Sequence, residues 1–177
     1  QINLGATGTG TDTVKILNNR ILQASTNSGG IGILPIGNAY VIIKGNLIKH
    51  NRYGITLNGG SNINAVIGYN VIDSNNIQND PNLGGSGIAF YGGSATSHQN
   101  TIVSGNIIRG NLWGITILNR SKPNLGNIAN SDTADDGKNW FIDNTNTYTP
   151  DIDLYNNTPE DIDAQNNYWG TDDINTI

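Results

Sequence analysis

An eight-residue pattern recurs along this chain of 177 residues and limits the fold more than any other feature of the sequence. The pattern reads apolar-x-apolar-x-x-Asn-x-Ile, with Trp in place of Ile in the last copy. The copies span 14–21, 41–48, 65–72, 101–108 and 162–169, and their shared asparagines are Asn19, Asn46, Asn70, Asn106 and Asn167. The first two steps between these asparagines are 27 and 24 residues. Such spacing predicts an array of similar structural units.

A second short strand signal, built on Gly-Ile, follows each of the first four copies; it begins at Gly32, Tyr53, Ser86 and Trp113. A repeat unit therefore holds three short strands joined by turns. The chain has 26 Ile and 30 Asn, which favour strands and turns respectively. One short strand cannot bury an apolar face alone, whereas stacked units bury a continuous Ile/Val column. The sequence therefore predicts an all-β solenoid.

The repeated asparagine falls between two strands, where the chain must turn sharply. Asn tolerates the left-handed backbone region, and its amide can bond to the same side chain one coil away. We therefore expect an asparagine ladder along the solenoid axis. A sugar-binding role for these asparagines is disfavoured, because amides in a ladder bond mostly to one another.

The repeats from about Val14 to Gly170 resemble the right-handed parallel β-helix proteins. This superfamily includes pectate lyases, polygalacturonases, mannuronan epimerases and NosD-like proteins. No linker or low-complexity boundary divides the chain, so we expect a single domain over 1–177, a segment of a longer protein, with about five to six coils. The resemblance implies that Tyr168 and Trp169 close the C-terminal end of the core. Two long loop insertions, Asp73–Gly85 and Asn119–Asn139, interrupt the repeats.

Charge and composition exclude several classes of partner and chemistry. The formal net charge is −5 and there is no basic cluster, so nucleic acid is not expected. No apolar run approaches the ~20 residues that a membrane helix needs. With no cysteine, thiol chemistry is absent. Resemblance to secreted bacterial proteins implies an extracellular or cell-surface location, with the periplasm as the alternative.

The resemblance also implies a groove along the Gly-Ile strand, where the enzymes of the superfamily place charged catalytic side chains. Here the outward positions of that strand are uncharged, and the polygalacturonase motifs Asn-Thr-Asp, Gly-His-Gly and Arg-Ile-Lys are absent. Lys49, Arg52 and Arg109 remain weak candidates for catalysis, with Asp73 between Lys49 and Arg109 if the coils stack in register. The alternative is surface ion pairing, which contributes little to stability.

Aromatic residues near the same strand are candidates for carbohydrate binding. Tyr53 and Trp113 occupy equivalent places before Gly-Ile, Tyr91 ends the strand, and Asn51 and Asn111 could supply hydrogen bonds. The competing interpretation is that strand alternation turns Tyr53 and Trp113 inward, where they fill a corner of the core.

One loop offers oxygen ligands of the kind that calcium prefers, from Asp132, Asp135 and Asp136. The spacing does not match an EF-hand, and a plain acidic loop is the alternative. No other cofactor is expected.

Two apolar columns are expected to face outward on either side of the asparagine turn. On this low-charge chain they suggest a surface for a homo-oligomer or a neighbouring domain. The alternative is that the turn hides one column. The residues are Ile42, Val66, Ile102, Leu47, Val71 and Ile107.

Three functions stay open. The first is a non-catalytic extracellular module that binds polysaccharide or serves as a rigid spacer. The second is a polysaccharide lyase or glycoside hydrolase, and the third is an adhesin or spike segment assembling through the apolar face. The second depends largely on fold analogy, and one fold hosts many functions.

Overall fold

The computed structural model describes residues 1–5, 13–22, 26–35, 37–148 and 152–170 as sixteen strands and one short 3₁₀ turn, Thr133–Asp135. The fold is a right-handed parallel β-helix, as expected. The strands in chain order are β1 Ile2–Leu4, β2 Thr13–Leu17, β3 Arg20–Leu22, β4 Ile31–Ile33, β5 Ala39–Lys44, β6 Leu47–Lys49, β7 Ile55–Asn58, β8 Ile63–Gly68, β9 Val71–Asp73, β10 Ser86–Tyr91, β11 Asn100–Ser104, β12 Ile107–Arg109, β13 Trp113–Leu118, β14 Trp140–Ile142, β15 Leu154–Asn157 and β16 Tyr168–Trp169.

The strands form three parallel sheets, and each full coil passes through them in the same order. Sheet B contains β2, β5, β8 and β11, and sheet C contains β3, β6, β9, β12, β14 and β16. Sheet A contains β1, β4, β7, β10, β13 and β15. We call the turn between sheets B and C the first corner and the turn between sheets C and A the second corner.

Strict register places apolar side chains over one another in the core. On sheet C the inward column runs through Ile48, Ile72, Ile108 and Phe141, all fully buried. Trp169 continues this column, with its ring stacked 4.3 Å from that of Phe141. Tyr168 instead points outward and lies against Trp140 at 5.3 Å. Of the expected closing pair, only Trp169 covers the core.

An asparagine ladder occupies the first corner and confirms the expectation from the repeat. Each side-chain Nδ2 donates to Oδ1 of the next asparagine at 2.9–3.0 Å, and the backbone N–H donates to the same oxygen. The residue before each ladder asparagine has positive φ, which turns the chain in two residues. The ladder includes one member that the repeat pattern does not reveal, and in full it runs Asn19, Asn46, Asn70, Asn106, Asn139 and Asn167.

A second ladder fills the second corner. It runs through Asn51, Asn75, Asn111 and Asn144, with Nδ2···Oδ1 distances of 2.8–3.2 Å. Again the preceding residues have positive φ. Asn144 donates its last hydrogen bond to the carboxylate of Asp153 at 2.8 Å, so this ladder ends on a charged acceptor.

Glycine is required where sheet A begins, beside the second ladder. A Cβ on Gly87 would lie 2.8 Å from the carbonyl oxygen of Gly114 and 2.8 Å from Cγ2 of Ile108. Gly54 is equally crowded, by Ile72 and Asn75. The Gly-Ile signal therefore marks an inward glycine that lets adjacent coils touch. In the first coil this glycine is Gly30, beside Ile31, and Gly32 faces outward instead.

The two insertions leave the solenoid at different points. The first follows Asn75 and returns at β10; the second follows β13, and only a single bridge, Ile102 to Asn124, continues sheet B there. Among the described residues no helix has the length and apolar character needed to cross a bilayer.

Candidate functional site

An aromatic cleft of about 190 Å³ lies on the outer face of sheet A. The first insertion forms one wall, and the outward side chains of β10, β13 and β15 form the floor and the opposite wall. Every side chain that lines it is uncharged at neutral pH. The lining residues are Tyr53, Pro81, Asn82, Gly84, Ser86, Tyr91, Trp113, Thr116, Leu118 and Tyr155.

The corner glycines explain why Tyr53 and Trp113 face the cleft. Gly54 and Gly114 occupy the crowded position at the corner, so each preceding ring lies outside the core. Both rings are half-buried and line the cleft. The expectation that they fill a corner of the core was wrong, because period-two alternation does not continue through the turn.

Neighbouring groups hold the two rings in place. The indole Nε1 of Trp113 donates to the carbonyl oxygen of Pro81 at 3.2 Å, which ties the insertion to the sheet. The Trp113 ring lies 5.1 Å from Tyr155 in a tilted arrangement. The guanidinium of Arg52 lies 5.5 Å from the Tyr53 ring centroid, and its Nε donates to Leu83 O at 2.6 Å. These contacts therefore fix the positions of both rings in the absence of a ligand.

Polar groups at the floor can donate and accept hydrogen bonds but carry no charge. Thr116 is buried, and its hydroxyl lies 3.0 Å from that of Ser86. Burial, together with the neighbouring Tyr53 phenol, raises the pKa of Tyr91 to about 12. Tyr91 therefore stays protonated at neutral pH and is a hydrogen-bond donor rather than a general base.

Asn51 and Asn111 do not reach the cleft. Both are about 1% exposed, and their amides bond within the second ladder. Their expected role as sugar ligands was wrong, since the corner turns these side chains into the core. They stabilise instead the second corner, which positions the neighbouring rings of Tyr53 and Trp113.

The candidate catalytic cations do not form one site. Lys49 and Arg109 lie on the outer face of sheet C, and each is 3.1 Å from Oδ2 of the buried Asp73. Burial alone would raise the pKa of Asp73, but hydrogen bonds from Ser74, Lys49 and Arg109 hold it below its ordinary value. Arg52 lies apart from this triad, beside Tyr53 at the cleft. The register stacking of Lys49, Asp73 and Arg109 was expected, and the structure shows it as an ion-paired column.

The three aspartates proposed for calcium bond to different partners. Asp132 accepts from the N–H of Ala134 and caps the 3₁₀ turn. Asp135 is buried and accepts from two asparagine amides, while Asp136 pairs with Lys138. No group of three or more Asp, Glu, His or Cys within the described ranges could hold a metal ion. The three carboxylates are thus engaged with separate partners, which agrees with the plain acidic loop, and calcium binding at this loop stays a prediction.

Both apolar columns beside the first corner face outward. Ile42, Val66 and Ile102 form one register column on sheet B, each half-buried. Leu47 and Val71 are half-buried on sheet C, and Ile107 is 36% exposed. The turn does not fully hide either column.

Sequence reasoning missed several cleft residues. Tyr155 belongs to a strand that lacks the Gly-Ile signal, although Leu154 faces the core and predicts an outward ring at 155. Pro81 and Asn82 come from an insertion whose path no repeat specifies. No family model matches the chain, and no curated protein or solved structure gives a significant match.

Proposed function

We propose that this chain is a non-catalytic carbohydrate-binding module of an extracellular or cell-surface protein, and that the aromatic cleft on sheet A holds a neutral glycan. The observation that carries the proposal is the lining: Tyr53, Tyr91, Trp113 and Tyr155 surround an open cleft whose polar groups are all uncharged. Concave sites with aromatic walls and a few fixed polar groups are typical of ligand binding.

The chemistry of the lining favours binding over turnover. Glycoside hydrolysis ordinarily uses two carboxyl groups across the scissile bond. The lining contains no carboxylate, and the phenol of Tyr91 has its pKa raised away from neutrality. The rings and hydroxyls suit the apolar faces and equatorial hydroxyls of sugars.

The same lining favours a neutral glycan over a polyuronate. A carboxylated sugar would lose hydration on entering the cleft, and that loss is offset only by an ion pair or charge-assisted hydrogen bonds. Arg52 is the nearby cation, but its Nε already bonds to Leu83 O and its guanidinium covers the Tyr53 ring. We therefore expect neutral oligosaccharides to bind more tightly than uronate oligomers of equal length.

Titration of intrinsic tryptophan fluorescence tests the proposal, because Trp113 lies in the cleft. The ligands are neutral β-linked oligosaccharides, with oligogalacturonate and oligoalginate for comparison. Loss of one stacked ring costs about 0.5–1.5 kcal/mol, so Tyr155→Ala should raise Kd about 2- to 12-fold. Tyr69→Ala is the matched control, because Tyr69 is 69% exposed at the first corner, outside the cleft lining.

Two observations made with a bound ligand would overturn the proposal, and so would the absence of any binding. One is equal weakening by Tyr69→Ala and Tyr155→Ala, which would place the ligand elsewhere. The other is steady growth of ultraviolet absorbance from unsaturated sugars, which would identify a lyase. Failure of every neutral glycan to bind would leave the rigid-spacer role as the better account.

A further inference from the structure

Two tyrosines close the outer face of sheet A at one coil. Tyr53 lies at the second corner and Tyr91 at the opposite end of the sheet, and a side-chain hydrogen bond links their phenols. Ala89 of β10 occupies an outward position, in register with Thr56 and Thr116. It is nevertheless 0% exposed, which agrees with two large rings meeting over the strand. We call Tyr53 and Tyr91 the tyrosine bar.

The tyrosine bar divides the outer face of sheet A into two parts. Thr56 and Asn58 of β7 lie on one side of it, and the floor of the aromatic cleft at Thr116 lies on the other. Neither Thr56 nor Asn58 contributes to the lining of the cleft. A ligand chain that lies along the solenoid axis therefore cannot continue from the cleft over β10 to β7.

The first insertion closes a second direction, across the sheet. Pro81, Asn82 and Gly84 form this wall, and Nε1 of Trp113 donates to the carbonyl oxygen of Pro81 at 3.2 Å. The Asn82 side chain is held in turn, because its Nδ2 donates to Oδ1 of Asp80 at 3.2 Å. A straight chain that runs along the axis meets the tyrosine bar, and one that runs across the sheet meets this wall.

The space between these barriers suits one sugar ring. The cleft measures about 190 Å³, whereas pockets for drug-sized ligands measure ~300–1,000 Å³. Its floor presents the hydroxyls of Ser86 and Thr116, 3.0 Å apart, on residues that are only 3% and 6% exposed. One hydroxyl donates to the other, so the acceptor keeps its own hydrogen for a ligand. Two neighbouring hydroxyls of a pyranose can donate to and accept from such a pair.

We infer that the cleft holds a single pyranose ring at the end of a neutral glycan chain, so that the protein recognises chain ends rather than chain interiors. The inference rests on the proposed glycan binding and specifies which part of the glycan is bound. A terminal ring has one glycosidic link, which leaves toward solvent, whereas an internal ring needs two exits. The tyrosine bar and the insertion wall remove the second exit.

Fluorescence titration with ligands of increasing length tests the inference. The probes are two neutral β-linked series, gluco- and galacto-oligosaccharides, each prepared as methyl glycosides of one, two, four and six rings. Each molecule has one non-reducing end, so a site for one terminal ring should give molar Kd values that agree within about 2-fold along a series. A groove for chain interiors would instead lower Kd by about 2- to 12-fold for each further ring that stacks.

Tyr53→Ala breaks the tyrosine bar, and its readout is the ratio of the Kd values for one ring and for six. Loss of the Tyr53 ring weakens the binding of every ligand, but it also opens the cleft toward Thr56. The ratio should therefore rise about 2- to 12-fold, because longer chains gain a further contact. Tyr69→Ala, at the first corner and outside the cleft lining, should keep the wild-type ratio. Circular dichroism checks that both variants keep their β structure.

A wild-type Kd that falls with each added ring overturns the inference and leaves glycan binding intact. An unchanged ratio in Tyr53→Ala also overturns it, because the tyrosine bar would then not be the barrier. If no ligand of any length binds, the proposed glycan binding is refuted and the inference with it.

Discussion

Truncating one asparagine in the middle of the first ladder should destabilise the protein far more than truncating the first one. Asn70 is about 1% exposed. Its Nδ2 donates to Ile43 O and to Asn106 Oδ1, each at 2.9 Å. Its Oδ1 accepts from the backbone N–H and the Nδ2 of Asn46, also at 2.9 Å. Asn70→Ala removes all four hydrogen bonds.

The magnitude follows from the groups left behind. Asn70→Ala deprives the interior N–H of Asn46 and the carbonyl of Ile43 of their side-chain partner. Leaving a buried polar group unsatisfied costs about 1–3 kcal/mol, so the free energy of unfolding should fall by about 2–6 kcal/mol. That is a large share of the ~5–15 kcal/mol typical of a domain.

Asn19→Ala is the matched control at the exposed end of the same ladder. Among the described residues nothing donates a hydrogen bond to the Asn19 side chain, and Asn46 Oδ1 keeps the backbone N–H of residue 19 as a donor at 2.9 Å. We expect a loss below about 1 kcal/mol. Urea unfolding followed by circular dichroism, at dilute protein concentration, compares the two. A difference smaller than 1 kcal/mol would refute the view that the ladder is a satisfied interior network.

Three further predictions concern other parts of the molecule. Gly87→Ala should cost about 1–3 kcal/mol by overpacking, whereas Gly29→Ala, whose Cβ would meet nothing closer than 3.9 Å, should be nearly neutral in the same urea assay. Asp73 has a folded pKa below its ordinary 3.8, so the unfolded chain binds more protons there. The stability advantage of wild type over Asp73→Asn should therefore be full above about pH 4 and disappear as pH falls through the lowered pKa, as acid-dependent unfolding would show. The pKa of Tyr91 is raised instead, from 10.0 to about 12, so wild type should lose stability relative to Tyr91→Phe as the pH rises from about 10 to 12. Absorbance of the phenolate reports the titration, and parallel stability curves for the two proteins would contradict the prediction.

The solenoid could be predicted because individual residues at fixed spacings define its repeat. The asparagine, with apolar residues at fixed distances from it, specifies a corner and the inward columns beside it, and the structure confirms both. The ladder position of Asn139 was not predicted, because the insertion before it replaces the apolar strand that completes the pattern.

The second ladder was harder to see for a physical reason. The first insertion separates Asn75 from the Gly-Ile signal of its coil, and no Gly-Ile signal follows Asn144, so the spacing shared by Asn51 and Asn111 is not repeated. The cleft could likewise be predicted only in part. Strand alternation predicts its floor, but the corner that turns Trp113 outward and the insertion that supplies Pro81 depend on tertiary contacts.

Both corners keep a constant two-residue form while the coils between them vary, and this makes the molecule extensible. Asn46 to Asn70 and Asn51 to Asn75 span the same 24 residues, so one such block is a complete, interchangeable increment. Splicing in a duplicate would lengthen the shaft by one strand spacing, ~4.8 Å, and leave its cross-section unchanged. The number of ladder asparagines therefore sets the length of the solenoid along its axis.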